Sequence, residues 1–180
     1  MSKLVLIILI LPIIFISCST EKTLYVNEGR YHLTTQDANW TLSFSNDNYR
    51  LADKVESAKS SNFIFVSEPQ NLIIFCEINR TTDCQDAITC LERFIKNPTG
   101  STFFGLSSKR SRFTVGHTPV VEYFVPNYEG EEINQDNMTA VFYRPGFAIN
   151  IHVSKPGFSE PDRVRMIKFI ASVLLTDKLN

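Results

Sequence analysis

The chain has 180 residues, of which 18 are Lys or Arg and 19 are Asp or Glu, giving a net charge of −1. A nucleic-acid-binding protein usually needs a basic face, so this balance predicts no nucleic-acid partner. A hydrophobic content of 43%, with 14 Phe, excludes a disordered chain and indicates a folded protein.

The first feature in chain order is an apolar run at the N-terminus. Lys3 supplies a positive charge, and Leu4 to Ile16 are thirteen apolar residues that precede Ser17 and Cys18. A helix that spans the bilayer hydrocarbon takes about 20 residues, so this run is too short for one. The charge, the run length and the small residue Ser17 predict a secretory signal peptide over residues 1–17.

The residues that end this run resemble the lipobox of bacterial lipoproteins. Ile16, Ser17 and Cys18 match its form, while Phe15 stands where Leu, Val or Ile is usual. The resemblance implies cleavage before Cys18 and attachment of acyl chains there, each buried CH₂ contributing roughly 0.8 kcal/mol to membrane binding. Ser19, in place of the usual Asp retention signal, implies an outer-membrane position facing the periplasm. Ordinary secretion with an unmodified Cys18 is the alternative.

The remainder is long enough for one domain with its own core. Residues 18–23 are predicted to be the lipidated cysteine and a short tether, and residues 24–180 a single globular domain. Between Ser45 and Ser61 the sequence is polar and predicts a short helix at Leu51–Ala58. Pro126 to Asn137 is predicted to be a long acidic loop. The predicted strands are Leu24–Val26, Arg30–Thr35, Asn39–Phe44, Phe63–Val66, Leu72–Ile78, Lys109–Val115, Val120–Val125, Thr139–Tyr143 and Phe147–Val153.

Two of these patterns carry more information than the others. Leu72–Ile78 has apolar residues on both sides, which predicts a central strand covered on both faces. Asp83–Lys96 is predicted to be an amphipathic helix, with a core stripe of Cys84, Ala87, Ile88, Leu91 and Ile95.

A second helix is predicted to begin near Ser159, where Ser159 and Asp162 make a capping-box-like start. Its predicted core stripe is Val164, Ile167, Ile170, Ala171 and Leu174, with Met166, Phe169 and Val173 widening it.

The order of these elements lacks the regular βαβ alternation of a parallel sheet. The predicted class is therefore α+β, a mainly antiparallel sheet packed by two principal helices. The strand Asn39-Trp40-Thr41-Leu42-Ser43-Phe44, the strand Leu72–Ile78 leading into Asp83–Lys96, and Phe169-Ile170-Ala171-Ser172 resemble the PsbP-like family. The resemblance covers about Leu24 to Leu175 and implies a PsbP-like sandwich. It also implies an accessory or binding role and brings no catalytic residues to this chain.

Three cysteines follow Cys18, and outside the cytoplasm they allow one disulfide and one thiol. If Cys84 and Cys90 share a helix, their Cα atoms are about 9 Å apart. That distance exceeds the roughly 7 Å limit for a disulfide. The expected pair is therefore Cys76 with Cys84 or Cys90, and three buried thiols is the alternative. No His lies at ligand spacing from them, so no zinc site is predicted.

The histidines His32, His117 and His152 occur in no HxH or HExxH motif, and GxSxG is also absent. We expect ordinary surface or strand-face histidines, no catalytic residues, no metal and no cofactor. The carboxylates at Glu129, Glu131, Glu132 and Asp136 lack EF-hand spacing and predict a solvated hairpin tip. The alternative is a small periplasmic enzyme, hydrolase-like, that uses His117 or His152 with a nearby carboxylate.

The leading hypothesis is a lipid-anchored cell-envelope protein with a non-catalytic domain that binds a protein partner. Phe103 and Phe104 lie in a loop rich in Gly, Ser and Thr, and exposed aromatic rings are candidate hot spots. Lys109, Arg110 and Arg112 follow on the next strand and suit an acidic partner. Alternatively, the rings pack against the core and the charges protect a sheet edge. A periplasmic immunity protein is one specific form of this hypothesis, and a small-ligand carrier is a separate alternative.

The anchor is tested by feeding labelled palmitate to cells that express the wild-type protein or Cys18→Ala. We expect label in the wild-type protein and none in the variant, because the variant lacks the acylated residue. Equal labelling of the two proteins would reject lipidation at Cys18.

Overall fold

The structure is a computed structural model that describes residues 23–96, 107 and 109–178. The predicted signal peptide, Cys18, Phe103 and Phe104 lie outside these residues. The helices are α1 (Ala87–Lys96) and α2 (Glu160–Ser172). The strands are β1 (Leu24–Asn27), β2 (Arg30–Leu33), β3 (Trp40–Ser45), β4 (Arg50–Glu56), β5 (Ser60–Ser67), β6 (Leu72–Arg80), β7 (Lys109–Val115), β8 (Thr118–Tyr128), β9 (Glu131–Arg144), β10 (Phe147–Lys155) and β11 (Leu174–Asp177).

The strands form two antiparallel sheets. One has four strands in the order β1-β2-β3-β11, and the other has seven in the order β4-β5-β6-β10-β9-β8-β7. The four-stranded sheet and α2 pack on one face of the seven-stranded sheet, which we call the inner face. Helix α1 packs on the opposite, outer face over β8, β9 and β10. The predicted α+β class with a mainly antiparallel sheet is therefore confirmed.

Phe44 lies where both sheets and α2 meet. Its ring is fully buried and lies 5.1 Å from the ring of Phe65 on β5 and 5.3 Å from that of Phe169 on α2, measured between centroids. Both pairs are edge-to-face, a favoured geometry for aromatic rings. Trp40 on the same strand packs in the same way on Phe147, with centroids 5.3 Å apart. Alternate residues of β3 thus join the two sheets.

The predicted acidic loop is instead a long hairpin. Its two-residue turn is Glu129-Gly130, with φ of 50° and 87°. Positive φ at both positions is typical of the type I′ turn, whose twist matches that of paired strands. The β8–β9 register shifts between Val125 and Asn127, at Pro126, which has no N–H to donate to a ladder. Asp136 is therefore a residue of a paired strand and does not lie at the hairpin tip.

Three other expectations were wrong. Leu51–Ala58 does not form a helix, because Arg50–Glu56 pairs with β5 as the edge strand β4. Strand β6 is internal, but its outer face is only partly covered, and Ile73 is 38% exposed. Helix α2 does begin after Ser159, whose N–H donates to Asp162 Oδ2 at 3.0 Å. Its buried face is rotated from the predicted one, and consists of Met166, Phe169, Ile170 and the following Val173.

The predicted disulfide was also wrong. Cys84 is bonded to Cys90, and Cys76 is a buried free thiol. Helix α1 begins at Ala87 and not at Asp83, because Asp86 Oδ1 accepts the Thr89 N–H at 2.7 Å and caps the helix there. Cys84 therefore precedes the helix, and the chain turns back so that the two Cα atoms are 5.1 Å apart. The spacing argument failed because it placed both cysteines in one helix.

Replacing Phe44 with Ala is expected to lower the free energy of unfolding by about 3–5 kcal/mol, because it removes the ring that contacts both sheets and α2 and leaves a cavity. Urea denaturation followed by tryptophan fluorescence measures this loss. Val26→Ala is the control on the same sheet, since Val26 is 54% exposed. Similar losses in both variants would contradict the central role of Phe44.

Replacing both Cys84 and Cys90 with Ser is expected to lower the free energy of unfolding by roughly 2 kcal/mol, since the disulfide closes only a short loop. Urea denaturation of the double variant measures the loss. The pairing is checked separately by alkylation and mass spectrometry of the unfolded Cys18→Ala protein. Without reductant we expect label at Cys76 alone, and label at Cys84 without reductant would refute the pairing.

Candidate functional site

A cleft of about 1060 Å³ opens on the outer face of the seven-stranded sheet, beside the Cys84–Cys90 disulfide. Strands β6 and β10 form its floor, and α1 with the segment before it forms one wall. The floor residues are Glu77, Asn79, Ala148 and Asn150, and the wall includes Thr81, Asp83 and Arg93. We call this region the outer cleft.

The polar side chains of the outer cleft are held by one another. Asn150 Nδ2 donates to Glu77 Oε2 at 3.0 Å across the β6–β10 pair. Arg93 pairs with Asp83 at 2.7 Å and donates to Thr81 Oγ1 at 3.0 Å. Because these groups already have defined positions, the cleft offers a preorganised set of donors and acceptors to a binding partner.

The predicted basic strand is β7, and it lies at the edge of the same sheet. Arg112 forms an ion pair with Glu92 of α1 at 2.5 Å. Arg110 Nε donates to Ser107 Oγ at 2.7 Å. Lys109 is paired with Phe124 through the β7–β8 register. Since Glu92 and Arg93 are neighbours on α1, the helix connects the basic strand with the outer cleft.

A second recess, of about 480 Å³, lies between β8, β9 and the start of α2. The chain before α2 is fixed there, because the N–H of Phe158 donates to the carbonyl of Asn134 at 2.9 Å. We call this recess the acidic pocket. Its lining combines the aromatic residues Phe124 and Phe158 with the charged residues Arg110, Glu122, Asp136, Glu160 and Arg163. Tyr123 also lines the pocket, but its ring lies on the outer face beside His152.

Glu122 accepts three hydrogen bonds within the acidic pocket. Its carboxylate accepts hydrogen bonds from Arg163 Nε at 2.7 Å and Nη2 at 3.0 Å, and from Ser111 Oγ at 2.9 Å. Burial alone would raise the pKa of Glu122, but the hydrogen bonds from Arg163 and Ser111 outweigh burial and lower it. Glu122 is therefore ionised at neutral pH and paired with Arg163.

Asp136 is different, since it is only 3% exposed and no donor reaches its Oδ2. Burial and, to a smaller extent, the negative charge of Glu122 together raise the pKa of Asp136 to about 7, while the Asn137 N–H and the positive charge of Arg163 oppose this rise. When protonated, Asp136 can donate to Glu122, whereas the ionised carboxylate has no hydrogen to offer. Near neutral pH this carboxyl is thus divided between its two protonation states.

Neither His117 nor His152 lies beside the carboxylates of Glu122 and Asp136. His152 lies on the outer face, where its Nδ1 is 3.1 Å from Thr139 Oγ1, and burial lowers the pKa of His152 to about 4. Asp136 lines the pocket on the side of α2, and His117 is exposed in the turn between β7 and β8. Among residues 23–96, 107 and 109–178, the structure therefore does not bring His117 or His152 to the carboxylates that the enzyme alternative requires.

In the part of the chain that the structure describes, no three His, Cys, Asp or Glu side chains are grouped so that they could hold a metal ion. No helix in the same part is long and apolar enough to cross a membrane.

Sequence reasoning missed the acidic pocket, although the carboxylates of Glu122 and Asp136 are both visible in the sequence. Phe124 and Asp136 are cross-strand partners only because the Glu129-Gly130 turn sets the β8–β9 register. The dipeptide Glu129-Gly130 between strand-like stretches was the available signal, since glycine readily takes the positive φ of such turns.

The sequence matches no protein-family model and no curated protein. A crystal structure from Bacteroides thetaiotaomicron VPI-5482 is similar to 76% of this chain with 9% identity and a TM-score of 0.47, and the chain spans only 44% of it. The crystal structure of LpqN, involved in cell envelope biogenesis of Mycobacterium tuberculosis, is similar over 82% of this chain and 90% of its own, with 14% identity and a TM-score of 0.44. Both likenesses are too distant to carry an argument.

The solution structure of the cyanobacterial PsbP protein CyanoP, from Synechocystis sp. PCC 6803, is similar over 81% of this chain and 92% of its own. The identity is 11% and the TM-score is 0.51. At this identity the likeness concerns the fold alone. The described chain therefore has a PsbP-like fold, as the sequence predicted.

Proposed function

We propose that this protein is a lipid-anchored cell-envelope protein whose PsbP-like domain binds a protein partner and performs no catalysis itself. Cys18 is the anchor, and the domain faces the periplasm from the outer membrane. The apolar run before Ser17 and Cys18 supports the anchor. The Cys84–Cys90 disulfide is compatible with an oxidising compartment such as the periplasm.

The observation that carries the binding role is the continuity of the outer face. Helix α1 contributes Arg93 to the outer cleft and Glu92 to the ion pair with Arg112 of the basic strand. The cleft, the helix and the strand therefore form one polar surface, which we call the outer surface. Its arginines suit a partner with exposed carboxylates, because guanidinium groups bind carboxylates in a bidentate geometry.

An immunity protein that blocks a toxin in the periplasm is a specific form of this proposal. Such a partner would be recognised by the same outer surface. Phe103 and Phe104, which precede β7 in the sequence, remain proposed contact residues for the partner.

The proposal is tested by cross-linking in intact cells, followed by affinity purification, with the charge reversals Arg93→Glu and Arg112→Glu. Each variant is expected to recover at least tenfold less of the partner, because it replaces a carboxylate-binding group by a repelling charge. Both arginines are about half exposed in ion pairs, so the folded state should lose little stability.

Arg50→Glu is the matched control. Arg50 is also exposed and paired with a carboxylate, that of Glu68 at 2.8 Å, but it lies on β4 at the opposite edge of the sheet. This variant is expected to retain the partner. If all three variants recovered the partner equally well, the outer surface would not be its binding site.

A further inference from the structure

The acidic pocket contains a carboxyl oxygen that has no hydrogen-bond donor when Asp136 is ionised. When Asp136 is protonated, it donates to Glu122. Asp136 is 3% exposed, it lines the pocket, and its Oδ2 accepts no hydrogen bond from the described residues. Buried polar atoms in folded proteins are nearly always paired, and those that are not often belong to functional sites. The pocket therefore presents a carboxyl oxygen that a bound donor could pair with.

The cationic side chains near Asp136 donate hydrogen bonds to other groups. Arg163 uses Nε and Nη2 on Glu122. Arg110, at the other side of the pocket, donates to Ser107. Lys155 is the cross-strand partner of Asp136 on β10, but its Nζ donates to the carbonyl of Pro156 at 3.1 Å.

These contacts determine the charge that the pocket favours. Glu160 adds a third carboxylate to those of Glu122 and Asp136, against the two guanidinium groups of Arg110 and Arg163. With Asp136 ionised, the lining has three negative and two positive groups. Lys155 is outside the lining, and its Nζ lies 4.0 Å from the Asp162 carboxylate, which balances its charge. An anion would meet uncompensated carboxylates, whereas a cation would neutralise the excess negative charge.

The rest of the lining suits a cation with an apolar stem. Phe124 and Phe158 contribute aromatic rings, and the faces of such rings attract ammonium groups. A volume of about 480 Å³ lies within the usual size range of small-molecule pockets. An alkyl chain can pack on the rings while its charged end reaches Asp136.

We propose that the acidic pocket binds an alkylammonium group, which donates a hydrogen bond to Asp136 Oδ2 and packs its methylene groups against Phe124 and Phe158. The group belongs either to a free amine or to a lysine side chain of another protein. This site shares Arg110 and Ser111 of β7 with the outer surface but no residue with the outer cleft, and it does not depend on the anchor at Cys18.

Binding at this site is coupled to a proton. Below neutral pH, Asp136 is largely protonated, because burial and Glu122 raise its pKa to about 7. The ammonium ion keeps its own protons and displaces the proton of Asp136, which passes to solvent. The groups that face this carboxyl are Glu122 on β8, Glu160 and Arg163 on α2, Arg110 on β7 and Lys155 on β10. The affinity for the ammonium group should increase about tenfold for each unit by which the pH rises towards 7, and it should level off above pH 7.

The test is isothermal titration of the full-length protein in detergent micelles between pH 5.5 and 8.5. The probes are cadaverine, as a free amine, and Nα-acetyl-lysine methylamide, as a lysine side chain. Both remain protonated over this range, since amines of this kind have a pKa of about 10. Glutarate, with two carboxylates, is the anionic control. Proton release on binding is measured by repeating the titration in buffers of different ionisation enthalpy.

We expect at least one amine to bind, with the stated pH dependence and net proton release below pH 7. Tighter binding of cadaverine supports a free amine as the ligand, and tighter binding of the lysine derivative supports a protein side chain. Failure of both amines to bind, or binding of glutarate in their place, would overturn the proposal.

Asp136→Asn is expected to weaken amine binding at pH 8 by at least tenfold and to abolish its pH dependence. Glu132→Gln is the control, because it removes an exposed carboxylate near the hairpin turn, outside the pocket. Unchanged amine affinity in Asp136→Asn would contradict the assignment of Asp136.

Thermal unfolding shows whether Asp136→Asn is folded. A raised pKa in the folded state means that the contribution of Asp136 to stability is complete below its unfolded pKa of about 4 and is lost as the pH rises through about 7. Since Asn does not titrate, the stability of the variant should not fall as the pH rises through 7. At pH 8 the variant should be at least as stable as the wild type. If it is not folded, the proton release of the wild-type protein decides the proposal alone.

Discussion

Burial of the aromatic rings around Phe44 is the interaction on which the other features of this domain depend. Phe44, Phe65 and Phe169 come from β3, β5 and α2, so their contacts hold the four-stranded sheet and the helix on one face of the seven-stranded sheet. Burial of large apolar side chains is the main favourable contribution to folding. Once this face is covered, the position of α2 is set, and with it the position of Arg163 beside Glu122.

The outer face of the seven-stranded sheet is only partly covered, and this creates the candidate binding surface. Helix α1 packs over β8, β9 and β10, with Leu91 and the disulfide among its buried residues. It leaves the outer sides of β5 and β6 accessible, and Ile73 is 38% exposed there. The outer cleft lies at this boundary, where polar side chains of the sheet and of the helix are adjacent. The acidic pocket lies on the inner face, beside α2, so the outer cleft and the acidic pocket are on opposite sides of the same sheet.

Local sequence patterns were sufficient for most of the fold. The hydrophobic alternation at Trp40, Leu42 and Phe44 predicted β3, and Ser159 with Asp162 predicted the start of α2. The errors lie where neighbours distant in sequence decide the conformation. Strand β4 is polar and exposed, and it is a strand because β5 supplies its hydrogen-bond partners. The buried face of α2 differs from the predicted stripe because Phe44 and the sheets determine which side of the helix is covered.

The sequence by itself determined the α+β class and the order of most elements, because these follow from composition and from the periodicity of neighbouring residues. The tertiary structure decided the Cys84–Cys90 pairing, since the cap at Asp86 delays the helix and lets the chain turn back. It also decided the environment of Asp136. Asp136 has an unpaired oxygen and a raised pKa because strands and a helix from separate parts of the chain bury it beside Glu122, and sequence spacing does not specify that arrangement.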